Sequence, residues 1–298
     1  MSKQPNSQSQ KRFSESMASL FGDHPQPSCL FIKSSSDVGV MRNGGRNGAR
    51  FAPQSFMSFF KRLSLSENLL SQAMKEQEVS NQDLELEDFH RAQKTESETI
   101  QRLIKNSGDS ALVHIGGGHD HIYPLLMAIG APKTIVINID AHADTRTDDE
   151  SHSGNPFRKF SQKAQDFHLF QIGLHPFANS QSTLSPLKKG NMSALWRKDL
   201  NRLSLEKMFL EIQKEISQET KVILSIDADA LSGSLIPGVS AVNGAGLEMS
   251  ELNLIWENYK ALNLFHKPIV GIYELNPLYD TLSGMSMRTM AGFIFQIL

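Results

Sequence analysis

Six short apolar runs recur along the chain, and they are continuous rather than alternating. They are "CLFIKSS" (29–35), "ALVHIG" (111–116), "TIVINI" (134–139), "FHLFQIG" (167–173), "KVILSI" (221–226) and "PIVGIY" (268–273). Strands covered on both faces read this way, because neither side can afford alternate polar residues. Between them lie segments of helical periodicity. These are "ESETIQRLIK" (96–105) with Gly108 as its stop, "LSLEKMFLEIQKEI" (203–216) and "MSELNLIWENYKAL" (249–262). Strand and helix patterns in alternation predict βαβ units, hence an α/β fold of three layers, α/β/α, around a mostly parallel sheet.

The 298 residues suit one large domain. Residues 1–27, rich in Ser, Gln, Asn and Pro, read as a poorly ordered arm, and 28–298 as a single domain without linker or repeat. A net charge of −2 gives no basic footprint for nucleic acid or an anionic membrane surface. No apolar stretch approaches the ~18 residues that span a bilayer. Lys3, Lys11 and Arg12 precede a segment too broken for a signal peptide. The single cysteine, Cys29, permits no internal disulfide, so a reducing, cytoplasmic setting is expected. The expected partner is a small-molecule substrate, and a homo-oligomer is allowed.

Four of the apolar runs end in groups that are costly to bury. "ALVHIGGGHD" leads to His119, "TIVINIDAHAD" to Asp140, His142 and Asp144, "KVILSIDAD" to Asp227 and Asp229, and "PIVGIYELNP" to Glu274. Open α/β sheets bind ligands at the carboxyl ends of their strands, so these groups can meet in one place. In extended chain, residues two apart point to one side, which aligns Asp140 with His142 and Asp144, and Asp227 with Asp229. Four such carboxylates alone would repel and take up protons. Two divalent ions supply +4 against their −4, with His119 and His142 completing a mixed nitrogen and oxygen shell. Such a pair of ions activates water for hydrolysis. Taken singly, Asp120 reads as a helix cap, and His114 and His121 as satisfied surface or core histidines.

In order along the chain, "GGGHD", "NIDAHAD", "SIDAD" and "YELNP" resemble the motifs of the ureohydrolase family, which includes arginase and agmatinase. The resemblance covers nearly all of the chain from about residue 30. It implies a sheet of about eight strands, arginase-like, and a cofactor of two Mn²⁺ ions per chain. By the same resemblance, Asp140 and Asp227 bridge the ions, with His119 and Asp144 on one and His142 and Asp229 on the other. "DVGVMRNGGRNGARFAP" (37–53), Gly118 before the histidine and "PGVSA" (237–241) are most similar to the formimidoylglutamase branch. That branch implies hydrolysis of N-formimidoyl-L-glutamate to L-glutamate and formamide, a step of histidine degradation. A guanidino substrate such as agmatine or arginine is the alternative, and a non-catalytic metal-binding relative is a third reading.

The implied mechanism sets Glu274 against the amidinium nitrogens of the substrate. Phe157 stands where arginases carry a catalytic histidine, and Ser153 where agmatinases carry one, leaving His152 as the candidate proton shuttle. A dicarboxylate substrate needs cations or N–H donors. Arg146 is the first candidate for that contact, with Arg46 and Asn155 on flanking loops as weaker ones.

Overall fold

A computed structural model of the chain describes residues 14–80, 82–187 and 190–298. Eight strands form one sheet: β1 (Cys29–Ser34), β2 (Met74–Glu78), β3 (Ala111–Gly116), β4 (Lys133–Ile139), β5 (Asp166–Leu174), β6 (Asn191–Trp196), β7 (Thr220–Asp227) and β8 (Ile269–Tyr273). Their order is β2-β1-β3-β8-β7-β4-β5-β6, and every pairing is parallel.

Helices cover both faces. Along β4, Ile135, Ile137 and Ile139 enter one apolar cluster and Val136 the other. Along β7, Val222, Leu224 and Ile226 part from Ile223 in the same way. The first cluster receives the helices Ala52–Phe60, Arg202–Glu215, Met249–Lys260 and Met285–Ile297; the second receives Phe89–Ser107, Ile122–Ile129 and Pro156–Ser161. The three layers expected from the alternating pattern are present.

The six runs read as strands are the six inner strands. The two that the pattern does not show, β2 ("MKEQE") and β6 ("NMSALW"), are the edges of the sheet. An edge strand has one neighbour and a wet side, so it needs no apolar run. The helix expected over 96–105 begins earlier, at Phe89, where the Asp88 carboxylate accepts the Arg91 N–H at 3.1 Å.

The expected arm, 1–27, needs correction over its second half. Residues 1–13 lie outside the described residues, but 14–27 are docked on the domain. Met17 is wholly buried, its N–H donating to the Leu63 carbonyl at 2.9 Å. Phe21 packs its ring on Phe31 and Phe60, with centroids 5.4 and 6.2 Å away. The apolar "MASLF" inside a polar stretch drives this docking: its side chains gain more by burial than the short segment loses in entropy.

Candidate active site

β3, β8, β7 and β4 are adjacent in the centre of the sheet, and their carboxyl ends carry all the strand-end ligand candidates and Glu274. A cavity of about 770 Å³ opens over them, lined by His142, Asp144, Asp227, Asp229 and Glu274. His119 and Asp140 lie wholly buried at its base.

The donors form two groups. His119 Nδ1 is 3.2 Å from Asp140 Oδ2, 3.0 Å from Asp144 Oδ2 and 3.1 Å from Asp227 Oδ2. His142 Nδ1 is 3.5 Å from Asp140 Oδ1 and 3.4 Å from Asp229 Oδ2. Asp140 therefore turns one oxygen to each group. Asp227 offers Oδ2 to the first group, while its Oδ1 accepts the Asp229 N–H at 2.9 Å. Of the two expected bridges, Asp140 has the geometry in hand, and Asp227 faces one group.

Charge in this cluster is unbalanced without cations. Burial, reinforced by neighbouring carboxylates, pushes Asp144 up to about 6 and Asp227 well above the usual carboxylate range. Burial acts on Asp140 in the same sense, but hydrogen bonds from His119 and His142 outweigh it and hold Asp140 at about 2. The carboxylate of Asp229 is the largest cause raising the His142 imidazole. Asp229 Oδ1 is buried with no hydrogen-bond partner, and the one nitrogen His119 Nδ1 faces three carboxylate oxygens at once. Two divalent ions fit this donor set: they neutralise the carboxylates and give the orphaned oxygen a partner.

Neighbours hold the donors in place. His119 Nε2 lies 2.8 Å from Ser225 Oγ, and its ring stacks on Tyr273 at 4.9 Å and meets the edge of Phe157 at 5.4 Å. Asn138 Nδ2 donates to Asp140 Oδ2 at 3.2 Å and to Gln171 Oε1 at 2.9 Å. Anchoring of this kind fixes the tautomer and direction of a metal-binding imidazole or carboxylate. The sequence reading missed Ser225 and Asn138. Their signal was available: each is a polar residue in an apolar strand, two positions before a ligand candidate and so on its face.

Two site residues other than glycine have left-handed backbones, Asp144 at φ 50° and Glu274 at φ 64°. Such a conformation costs roughly 1–2 kcal/mol per residue. Glu274 stands where the chain leaves β8 and Asp144 in the loop after β4, and each must turn a carboxylate into the cavity. At Glu274 the turn is fixed by its N–H donating to the Gly117 carbonyl at 2.8 Å, while its Oε1 accepts the His119 N–H at 2.9 Å. Gly117 has to be glycine, since a Cβ there would lie 1.8 Å from the Ser36 carbonyl oxygen. Burial, opposed by the His119 N–H and helped by Asp229 and Asp144, pushes Glu274 up to about 8.

The other sequence candidates divide. Arg146 is exposed on the cavity wall, and among the described residues it pairs with no carboxylate. Arg46 also lines the cavity, but its Nε and Nη2 donate to the carbonyls of Ser240 and Val239 at 2.7–3.0 Å and its guanidinium stacks on Tyr279. His152 and Asn155 are not brought to the cavity. His152 Nε2 sits 3.1 Å from Asp148 Oδ2, and its Nδ1 accepts the Gly154 N–H at 3.0 Å. Asn155 accepts the His152 N–H at 3.1 Å and donates to the carbonyls of Glu150 and Asp148 at 2.7 and 3.4 Å. Both tie together the loop that carries Arg146, because every short-range polar partner there is backbone or Asp148.

A model of the arginase family matches residues 36–298. Among relatives, the formimidoylglutamase of Psychrobacter cryohalolentis is 27% identical over 292 residues, covering 88% of this chain and 83% of its own. Among solved structures, formimidoylglutamase from Bacillus subtilis superposes with a TM-score of 0.81 at 23% identity, covering 94% of this chain and 90% of that one. Trypanosoma cruzi formiminoglutamase, solved with two Mn²⁺ ions, superposes with a TM-score of 0.76 at 22% identity, covering 95% and 96%.

Proposed function

The chain belongs to the arginase family, and from that premise we propose that it hydrolyses N-formimidoyl-L-glutamate to L-glutamate and formamide. The observation that carries the substrate assignment is Arg146, an exposed guanidinium on the wall of a cavity floored by carboxylates. A substrate with a cationic amidine at one end and carboxylates at the other matches that division of charge. The relatives named formimidoylglutamase point the same way.

His119, Asp140, Asp144 and Asp227 would hold one Mn²⁺ ion, and Asp140, His142 and Asp229 the second. When bound, such a pair supplies ionised water at neutral pH and positive charge beside the reacting carbon. Glu274, fixed by the His119 N–H, receives the amidinium and holds its carbon over the cavity floor. Water adds to that carbon, the bond to the glutamate nitrogen breaks, and that nitrogen leaves with a proton. Arg146 takes a substrate carboxylate. With His152 bound up in its loop, it has no part in this scheme. The one cysteine, buried in β1, suits a reducing setting, and we place the protein in the cytoplasm. Among the described residues no helix is long and apolar enough to cross a membrane.

The test is a product assay on Mn²⁺-loaded protein. Formamide and glutamate should appear in equal amounts from formimidoylglutamate, with little urea from agmatine or arginine. Efficient urea release would overturn the substrate assignment.

A further inference from the structure

Behind the turn that carries His119, the chain buries a second set of ionisable groups. Asp120 and His121 lie on that turn, Glu85 on the helix Gln82–Glu87 and Glu96 on the helix Phe89–Ser107. All four are 1–2% exposed. Glu85, Asp120 and His121 each bring one donor atom, and the three atoms lie within 4.8 Å of one another.

The details go beyond a crowd of acids. His121 Nδ1 is 2.9 and 3.0 Å from the two oxygens of Glu96, so a carboxylate fixes one ring nitrogen. The other, Nε2, faces the Ser36 carbonyl at 3.3 Å. A carboxylate behind an imidazole is the usual support for a metal-binding histidine. Asp120, read from sequence as a cap, caps nothing: its Oδ1 is buried without a hydrogen-bond partner. Glycine makes room for that carboxylate on two sides, since a Cβ at Gly39 or Gly118 would lie 2.1 or 2.3 Å from Asp120 Oδ1. Gly118, which set the chain apart from arginases in the sequence, thus admits Asp120. Among the described residues, no lysine or arginine pairs with Glu85, Glu96 or Asp120; the ion-pair partners of Glu96 are His114 and His121.

We propose that Glu85, Asp120 and His121 hold a third divalent cation, of the Zn²⁺ or Mn²⁺ class. Two carboxylates and an imidazole, without thiolate, select that class. Enclosure from solvent marks the ion as structural, since a catalytic ion keeps an open position. It ties the helix Gln82–Glu87 to the turn 119–121, and so supports the backbone from which His119 and Glu274 are positioned.

The experiment counts ions. Native protein, Glu85→Gln and Asp229→Asn are stripped with chelator, reloaded with Zn²⁺ or Mn²⁺ alone, desalted and measured by mass spectrometry of the metal, with circular dichroism as the check of folding. Glu85→Gln should bind one ion per chain fewer than native, whereas Asp229→Asn should lose only from the cavity site. In parallel, anomalous diffraction from native crystals soaked in Zn²⁺ should show a peak between Glu85, Asp120 and His121. That map decides the matter even if Glu85→Gln does not fold. No peak there, or equal ion counts in native and folded Glu85→Gln, overturns the proposal and leaves the cavity ions untouched.

Discussion

Replacing Glu274 with Gln keeps the side chain's shape, and a Gln oxygen can still accept the His119 N–H that Glu274 Oε1 now takes at 2.9 Å. What disappears is a buried group that can ionise. In the folded, metal-free protein, burial raises the Glu274 carboxyl from an ordinary 4.5 to about 8. Between those values the folded chain holds a proton that the unfolded chain has released, so stability falls as pH rises through that window. At about 1.4 kcal/mol per pH unit, the loss at pH 7 is about 3 kcal/mol. Chelated Glu274→Gln should therefore match native protein near pH 4.5 and exceed it by about 3 kcal/mol at pH 7. Urea denaturation of both proteins across that range reads the difference. The same substitution should sharply lower kcat with formimidoylglutamate while metal content stays at the native value. A stability difference that does not change with pH would refute the burial reasoning, and native-like turnover would refute the contact with the amidinium.

Chelation should abolish activity and Mn²⁺ should restore it; Asp140→Ala should lose more metal than Asp229→Ala, because Asp140 faces both donor groups, and equal losses would remove its bridging role. Arg146→Ala should raise KM for formimidoylglutamate roughly 10- to 150-fold, the worth of a charge-assisted contact of about 1.5–3 kcal/mol, with metal content unchanged; an unaltered KM would discard the carboxylate contact. Ser225→Ala should weaken metal affinity about 10- to 100-fold by freeing the His119 ring, and Ser225→Thr, which keeps the hydroxyl, should restore most of it. His152→Ala should leave the pH profile of kcat unchanged in shape, since the imidazole is bound within its loop; loss of one limb of that profile would reinstate it as a proton carrier.

What the sequence made legible follows from where each residue sits. Strands buried on both faces have to be apolar throughout, so β1, β3, β4, β5, β7 and β8 announce themselves; β2 and β6, at the wet edges, do not. The ligand candidates were visible because Asp and His at the end of an apolar run are conspicuous; their period-two alignment did not carry over, because β4 ends at Ile139, before Asp140, and Asp229 lies in the 3₁₀ turn Ala228–Ala230. Loop residues carried no such rule. His152 and Asn155 follow Arg146 by six and nine positions, yet their side chains turn inward to the loop's own backbone and Asp148 while Arg146 stays on the cavity wall. Chain spacing cannot report that difference, because a loop has no fixed repeat. Asp120 failed for another reason: it was judged alone, and its meaning depends on Glu85, thirty-five positions away and brought near only by the fold.

The left-handed backbones of Asp144 and Glu274 bear on how the site is held. A strand delivers alternate residues to one face, but it cannot aim residues beyond its end. Asp144 comes from the loop after β4 and Glu274 directly after β8, and each meets His119. Each achieves this by a backbone conformation that an ordinary residue resists, at roughly 1–2 kcal/mol. Glycine at either position would relieve the strain but remove the carboxylate, so the strain and the chemistry cannot be separated. Their surroundings supply the compensation: the Gly117 carbonyl holds Glu274 by its own N–H, and the Asp144 carboxylate finds His119 Nδ1 at 3.0 Å. The left-handed backbones of Asp144 and Glu274 thus turn both carboxylates towards His119, and ions that bind the folded chain there would add to its stability.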